Sequence, residues 1–98
     1  MKIHEGRKYD IEIKLYTQAE DEPPKKYMGA YFMGIYLIDE ENPTFCDCCG
    51  KHVMKKFYVF RTPLDGASFD EAAFTYYDEE LIVGQTCLSK AKITPSLL

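Results

Sequence analysis

The segment Phe45-Cys46-Asp47-Cys48-Cys49-Gly50-Lys51 holds three of the four cysteines of this 98-residue chain. Within it, Cys46 and Cys49 form a Cys-x-x-Cys pair followed by a glycine, a spacing that lets two thiolates meet at one ion from a tight turn. Zinc is the expected ion, because it accepts soft thiolates in tetrahedral geometry and has no redox chemistry of its own. The segment therefore predicts a structural zinc site.

A third ligand is predicted at Cys87, which follows the strand-like residues 81–83. Thr86 is expected to cap a helix over residues 87–92 that ends before Pro95. Cys87 would then lie in the first turn of this helix, where the helix dipole stabilises a thiolate. A zinc knuckle, a strand pair and a ligand at a helix start, in that order, are typical of a treble-clef finger.

The fourth ligand has several candidates, of which His52 is favoured because it is nearest in sequence and has suitable chemistry. His4 is second, provided that the N-terminal strand lies beside the site. Cys48 is third, since a residue adjacent to Cys49 is expected to point away from a knuckle that already uses Cys46 and Cys49. An aspartate or a water molecule could also complete the site.

Other interpretations of the cysteines stay open. Reduced cysteines can simply be small core residues, and a Cys-x-x-Cys pair can serve thiol redox chemistry. His52 beside Cys49 could form a nucleophile pair of the kind that small enzymes use. Because no βαβ pattern, phosphate loop or deaminase signature accompanies these residues, the sequence favours a protein that is not an enzyme.

Apolar patterning predicts most of the secondary structure. Residues 8–17 alternate apolar and charged side chains, as expected for a strand with one buried face. Residues 27–38 are apolar on both faces and predict a long central strand, bent at Gly29 or Gly34. Two further strands are expected, at 56–61 and 81–83.

The segment 68–77 admits two interpretations. Ser68, followed three residues later by Glu71, fits a capping box that would begin a short helix. The stretch 73–77 reads Ala-Phe-Thr-Tyr-Tyr, and its aromatic and β-branched residues suit a strand equally well.

The predicted fold class is α+β, a small antiparallel sheet with a treble-clef-like zinc site and a short C-terminal helix. A chain of this length is expected to form one domain, 1–98. It comprises an N-terminal strand region, 1–44, and a zinc-ribbon-like region, 45–92.

These motifs resemble the short zinc-ribbon-like proteins and domains of bacteria and their phages. The shared pattern is Cys-x-x-Cys-Gly-Arg/Lys, a hairpin, and then Gly-x-x-Cys-x-x-Lys. Residues 45–92 carry it, at Cys46, Cys49, Gly50, Lys51, Gly84, Cys87 and Lys90. A usual treble clef has a second Cys-x-x-Cys on the helix, where this chain has Lys90. The resemblance implies a small zinc-stabilised fold and a phage origin.

Composition limits the function classes. Sixteen acidic and 12 basic residues give a net charge of −4, so a sequence-wide attraction to nucleic acid is not expected. The acidic triplets 20–22, 39–41 and 78–80 predict solvated turns. No apolar leader follows Met1, and the longest apolar run, 27–38, is too short to span a bilayer as a helix. We expect a cytoplasmic protein without membrane contact, in the host cytoplasm if it is viral.

Surplus aromatic side chains predict a partner surface. Tyr31 and Tyr36, in the central apolar stretch, are expected to face a protein partner or a second copy of the chain. Lys55 and Lys56, next to Tyr58, suit phosphate pairing and base stacking with a single nucleic-acid strand.

The function predicted from the sequence is that of a zinc-stabilised, non-enzymatic binding protein. Family-level expectation makes it a phage protein that binds or inhibits a host macromolecule, such as part of a defence system. The alternatives are a nucleic-acid-binding zinc module built on Lys51 and its basic neighbours, and a thiol redox protein or small enzyme built on the knuckle cysteines.

Overall fold

Five strands and two short helices make up the described part of the structure, a computed structural model that covers residues 3–97. In chain order the elements are β1 (Lys8–Ile13), β2 (Lys25–Leu37), β3 (Lys56–Pro63), α1 (Phe69–Phe74), β4 (Tyr77–Gly84), α2 (Gln85–Lys90) and β5 (Lys92–Pro95). The strands form one antiparallel sheet of order β4-β3-β2-β1-β5. The prediction of an α+β fold with a small antiparallel sheet is confirmed. Within the described residues, no helix combines the length and apolar character that crossing a membrane requires.

β2 is the central strand, as the apolar stretch 27–38 predicted. It pairs with β1 on one side and with β3 on the other. Gly29 and Gly34, the two expected bend positions, have φ of 67° and 131°, a region that residues with a Cβ rarely adopt. The register of β2 against β3 shifts between Phe32 and Gly34, so the regular pairing is interrupted at the second glycine.

One face of the sheet carries the core. Phe32, Phe60 and Leu81 lie opposite one another on β2, β3 and β4, and all three are buried. The ring centroids of Phe32 and Phe60 are 5.1 Å apart. Cys87 and Leu88 from α2 join the same buried cluster. Apolar packing therefore holds the helix with the predicted third ligand against the sheet.

α1 begins with the predicted capping box, so a helix and not a strand follows Ser68. The Glu71 N–H donates to the Ser68 hydroxyl, and the Ser68 N–H donates to the Glu71 carboxylate. Arg61 on β3 donates to two carbonyls in the last turn of the helix. These bonds satisfy backbone groups that a short helix leaves unpaired at both ends.

Several features differ from the predictions. α2 begins at Gln85 and is capped by Gly84, without a side-chain hydrogen bond, so Thr86 is not its cap. The helix starts early because Gly84 is extended, with φ −72° and ψ 164°, and ends β4 directly. Pro95 does not end the helix, since it is the last residue of β5, which pairs with β1. The acidic triplet 78–80 lies within β4 and not in a turn.

Cross-strand ion pairs explain how β4 accommodates this triplet. Glu80 accepts from Arg61 at 2.7 Å, and Glu79 accepts from Lys25 at 3.0 Å. Glu80 lies directly opposite Arg61 in the register of β4 against β3. Opposite charges at facing positions favour the strand conformation over a solvated turn.

Leu81→Ala should destabilise the fold by about 2–5 kcal/mol, because the side chain is 2% exposed and its removal leaves a cavity in the core. Leu37→Ala, at a position that is 80% exposed, is the matched control and should change the free energy of unfolding by less than about 0.5 kcal/mol. Urea unfolding followed by circular dichroism measures both. Equal losses in the two variants would contradict the assignment of the buried face.

Candidate metal centre

The predicted knuckle docks on the outer edge of β4. The Asp47 N–H donates to the Ile82 carbonyl at 2.8 Å, and the Ile82 N–H donates to the Asp47 carboxylate at 2.7 Å. β4 is an end strand of the sheet, so these bonds satisfy backbone groups on an otherwise open edge. The Asp47 carbonyl also accepts a hydrogen bond from the Tyr16 N–H at 3.1 Å. Hydrogen bonds within the protein therefore anchor the knuckle to the edge of the sheet.

A tight turn shapes the knuckle. The Gly50 N–H donates to the Cys46 carbonyl at 2.8 Å, and the Cys46 N–H donates to the Lys51 carbonyl at 2.9 Å. Gly50 has φ of +71°, and a Cβ added there would lie 2.9 Å from the Tyr16 ring. The backbone conformation and the close ring both require glycine at this position.

Cys87 reaches the knuckle because α2 follows β4 without a connecting loop. Gly84, the last residue of β4, donates its N–H to the Cys46 sulfur at 3.3 Å. The sulfurs of Cys46, Cys49 and Cys87 all lie within 4.8 Å of one another. This cysteine triad (Cys46, Cys49 and Cys87) could hold a metal ion.

Opposing effects act on the buried thiols of the cysteine triad. Burial raises the pKa of Cys46, but N–H groups of Gly84, Cys49 and Cys48 stabilise its thiolate more, so that its pKa is lowered overall. Burial raises the pKa of Cys87 well above its ordinary value, and hydrogen bonds of its thiol to Cys48 and Cys46 add to the rise. The Cys46 thiol therefore ionises more readily than the Cys87 thiol. A metal that binds here would have to displace the proton of Cys87.

Neither histidine joins the cysteine triad. His52 forms an isolated β-bridge with Phe45, and the centroids of the two rings are 4.3 Å apart. His4 is exposed, and its backbone N–H donates to the Tyr9 hydroxyl at 2.7 Å. The close-set group of metal-binding side chains in residues 3–97 includes neither of them. The structure thus does not bring His52, the favoured fourth ligand, to the triad.

Cys48, the third candidate for the fourth ligand, is adjacent in sequence to Cys49. It packs, partly buried, against the core. Burial raises the pKa of Cys48. Its sulfur is nevertheless outside the close-set triad. The expectation that Cys48 points away from the knuckle stays a prediction.

A cavity of about 440 Å³ opens onto the cysteine triad. The three triad cysteines line it, whereas Cys48 does not. Its lining also includes His52 and four lysines, Lys51, Lys55, Lys56 and Lys90. None of the described carboxylate side chains lines this lysine cavity, although acidic residues outnumber basic ones in the chain. The charge beside the triad is thus opposite in sign to that of the whole protein.

The predicted partner-binding residues have different surroundings. Tyr31 and Tyr58 are partly buried, and each packs its ring against a phenylalanine of the fold. Tyr36 is 46% exposed near the end of β2. Lys55 and Lys56 line the lysine cavity. Tyr36 and the two lysines are therefore the members of this set that a partner could contact most directly.

Two residues of the site were not predicted from the sequence, Asp47 and Tyr16. Asp47 lies inside the knuckle, and its carboxylate accepts a hydrogen bond from a strand N–H. An acidic residue at this position is only a weak sequence signal for such a contact. Tyr16 packs on Gly50 from a distant part of the chain, and nothing in the local sequence indicates that contact.

Comparison with known proteins finds no matching protein-family model, curated protein or solved structure. The resemblance to zinc-ribbon-like proteins accordingly stays a prediction that depends on the cysteine, glycine and lysine positions quoted above. Function must follow from the chemistry of the cysteine triad and the lysine cavity themselves.

Gly50→Ala should destabilise the protein more than Gly66→Ala. Both residues have positive φ, +71° and +75°, so each substitution costs about 1–2 kcal/mol in backbone strain. Only Gly50 has a ring in the way, since nothing lies within 4 Å of a Cβ at Gly66. Thermal unfolding of both variants measures the difference.

The double variant Tyr16→Ala/Gly50→Ala isolates the steric part of this cost. Its destabilisation should be smaller than the sum of the two single losses, because removal of the ring relieves the clash. Strict additivity, or equal losses for Gly50→Ala and Gly66→Ala, would contradict the described packing of Tyr16 on the knuckle.

Proposed function

We propose that this chain is a small, zinc-stabilised binding protein with a treble-clef-like centre and no catalytic role. The observation that carries the proposal is the approach of the Cys46, Cys49 and Cys87 sulfurs to within 4.8 Å of one another. The order of elements supports the treble-clef comparison, because a knuckle and a short helix supply the ligands on either side of a strand pair. Lys90 stands where the usual pattern has another cysteine.

Zinc is the metal we propose, because the donor atoms are cysteine sulfurs. Thiolates are soft ligands, and zinc accepts them in tetrahedral geometry without changing oxidation state. The Gly84 N–H donates to the Cys46 sulfur, and the pKa of Cys46 is lowered, so its thiolate form is favoured, as a metal ligand requires.

The metal's role in this proposal is to join distant parts of a small fold. Cys46 and Cys49 belong to the loop before β3, whereas Cys87 belongs to α2. A domain of this size buries a modest fraction of its surface, so a staple between these parts adds substantially to its stability.

A protein is the partner we propose first. Ile35, Tyr36 and Leu37 are exposed at the end of β2, on alternate faces of the strand, and Leu37 is 80% exposed. Aromatic and large apolar side chains are enriched in the cores of interaction surfaces. A second copy of the chain would use the same surface. Phage origin and a host target stay predictions from the resemblance.

A nucleic-acid-binding zinc module is the second candidate. It is favoured by the lysine cavity, which gathers Lys51, Lys55 and Lys56 with Lys90. Tyr58, the aromatic residue predicted for base stacking, is partly buried against Phe32, which leaves the lysines as the principal contacts. Binding would thus depend on phosphate contacts more than on stacking.

Cys49→Ser should abolish stoichiometric zinc binding, because it removes one ligand of the triad. Elemental analysis of the purified protein should find about one zinc per chain, as expected for a single thiolate site. Cys49 is exposed, so the substitution costs little in packing, and a fall in thermal stability would reflect the lost metal. Cys48→Ser is the matched control and should retain zinc. A metal-free, natively folded protein would refute the zinc centre.

Lys55→Glu should weaken binding of a single-stranded oligonucleotide at low salt, if the second candidate function is correct. The slope of log K against log salt concentration should also become shallower, by about 0.7 for a lost phosphate contact. Lys26→Glu makes the same charge change on β2, outside the lysine cavity, and is the control. Absence of binding to the unaltered protein, even at low salt, eliminates this candidate.

A further inference from the structure

The fourth coordination position of the proposed metal has no ligand from the described residues. The close-set metal-binding group in residues 3–97 contains the cysteine triad alone. His52 lines the lysine cavity, but its ring packs on Phe45. Cys48 does not line the cavity, and its sulfur is outside the close-set triad. Neither of the two nearest candidates therefore belongs to the group that would hold the metal.

The lysine cavity lies on the side of the triad where a fourth ligand could enter. All three triad cysteines line this cavity of about 440 Å³. A zinc site with three protein ligands and an accessible fourth position takes a water molecule or an exogenous ligand there. The volume falls within the range of small-molecule sites, which is about 300–1,000 Å³.

The charge of the lysine cavity selects the kind of ligand. Four lysines line it, and no described carboxylate does. The ion pairs found in residues 3–97 are Lys25–Glu79 and Arg61–Glu80, so none of the cavity lysines is neutralised by an acidic side chain in this way. Unpaired cations around a concave site favour an anion.

We infer that the metal held by the cysteine triad keeps one coordination position open to the lysine cavity, and that a small anionic ligand from outside the chain occupies it. The donor atom of this ligand binds the metal, and its negative group lies among the lysines. This inference rests on the metal centre of the proposed function. It adds a ligand-binding role to a metal whose proposed role is structural.

Cobalt is the suitable probe metal, because its visible absorption bands respond to the number and type of its ligands, whereas zinc has none. Three thiols of similar size provide one donor atom with different charges: 3-mercaptopropionate is anionic, 2-mercaptoethanol is neutral and cysteamine is cationic. Each is added to the cobalt-loaded protein; on binding, it would release its thiol proton to the buffer and form one sulfur–cobalt bond in place of the bond to the water molecule that leaves the fourth position. Cobalt content after gel filtration confirms that the thiol has not removed the metal.

The expected result is a saturable change in the cobalt bands with affinity in the order mercaptopropionate, mercaptoethanol, cysteamine. We expect about a tenfold difference between the anionic and cationic probes, because several lysines contribute modest charge interactions. The double variant Lys55→Glu/Lys90→Glu should remove or reverse this order. Cys48→Ser, outside the cavity, is the control and should bind the probes as the unaltered protein does, whereas His52→Ala tests whether that side chain blocks the fourth position.

The outcomes separate this inference from the proposed function. Failure to take up cobalt or zinc would overturn the metal centre itself. Uptake of cobalt with bands that no probe changes, or that respond only after His52→Ala or Cys48→Ser, would show that a side chain fills the fourth position, and would overturn the open site alone. Equal affinity for the three thiols would overturn the selection of an anion.

Discussion

The hydrogen bonds between the knuckle and the outer edge of β4 are the contacts on which the rest of the site depends. They run through one residue, Asp47, whose main chain and carboxylate both bind Ile82. With the knuckle fixed on this edge, the Gly84 N–H reaches the Cys46 sulfur, and α2 starts where Cys87 meets the other two thiols. Pairing at a sheet edge thus sets the ligand geometry, and a metal would bind to a frame that the backbone already supports.

Local signals in the sequence predicted the elements whose stability is mainly local. The capping box of Ser68 and Glu71 predicted α1, and apolar patterning predicted β1 to β4. β5 has four residues and no apolar alternation of its own. It is a strand because it pairs with the edge of β1. The start of α2 depends on Gly84, which is extended through its pairing with Phe57, and not on the capping preference of Thr86.

Within the site, spacing predicted the cysteine triad but not its surroundings. Cys46 and Cys49 are close because two intervening residues make one turn, which is a local property. His52 lies against Phe45 and Cys48 packs on the core, and nearness in sequence does not determine side-chain direction in an irregular loop. Three of the cavity lysines, Lys51, Lys55 and Lys56, follow the knuckle in sequence, and the approach of α2 adds Lys90.

The pairing of β5 with β1 has a consequence for the protein during its synthesis. The knuckle leaves the ribosome before β4 supplies the edge on which it docks, and before Cys87 is available to it. β1 and β2 are translated early, but their apolar face stays uncovered until α2 emerges. The edge of β1 likewise stays unpaired until β5 emerges. A ribosome that stalls before Cys87 would release a product with exposed apolar surface and unpaired strand edges, which is the kind of species that chaperones and proteases recognise.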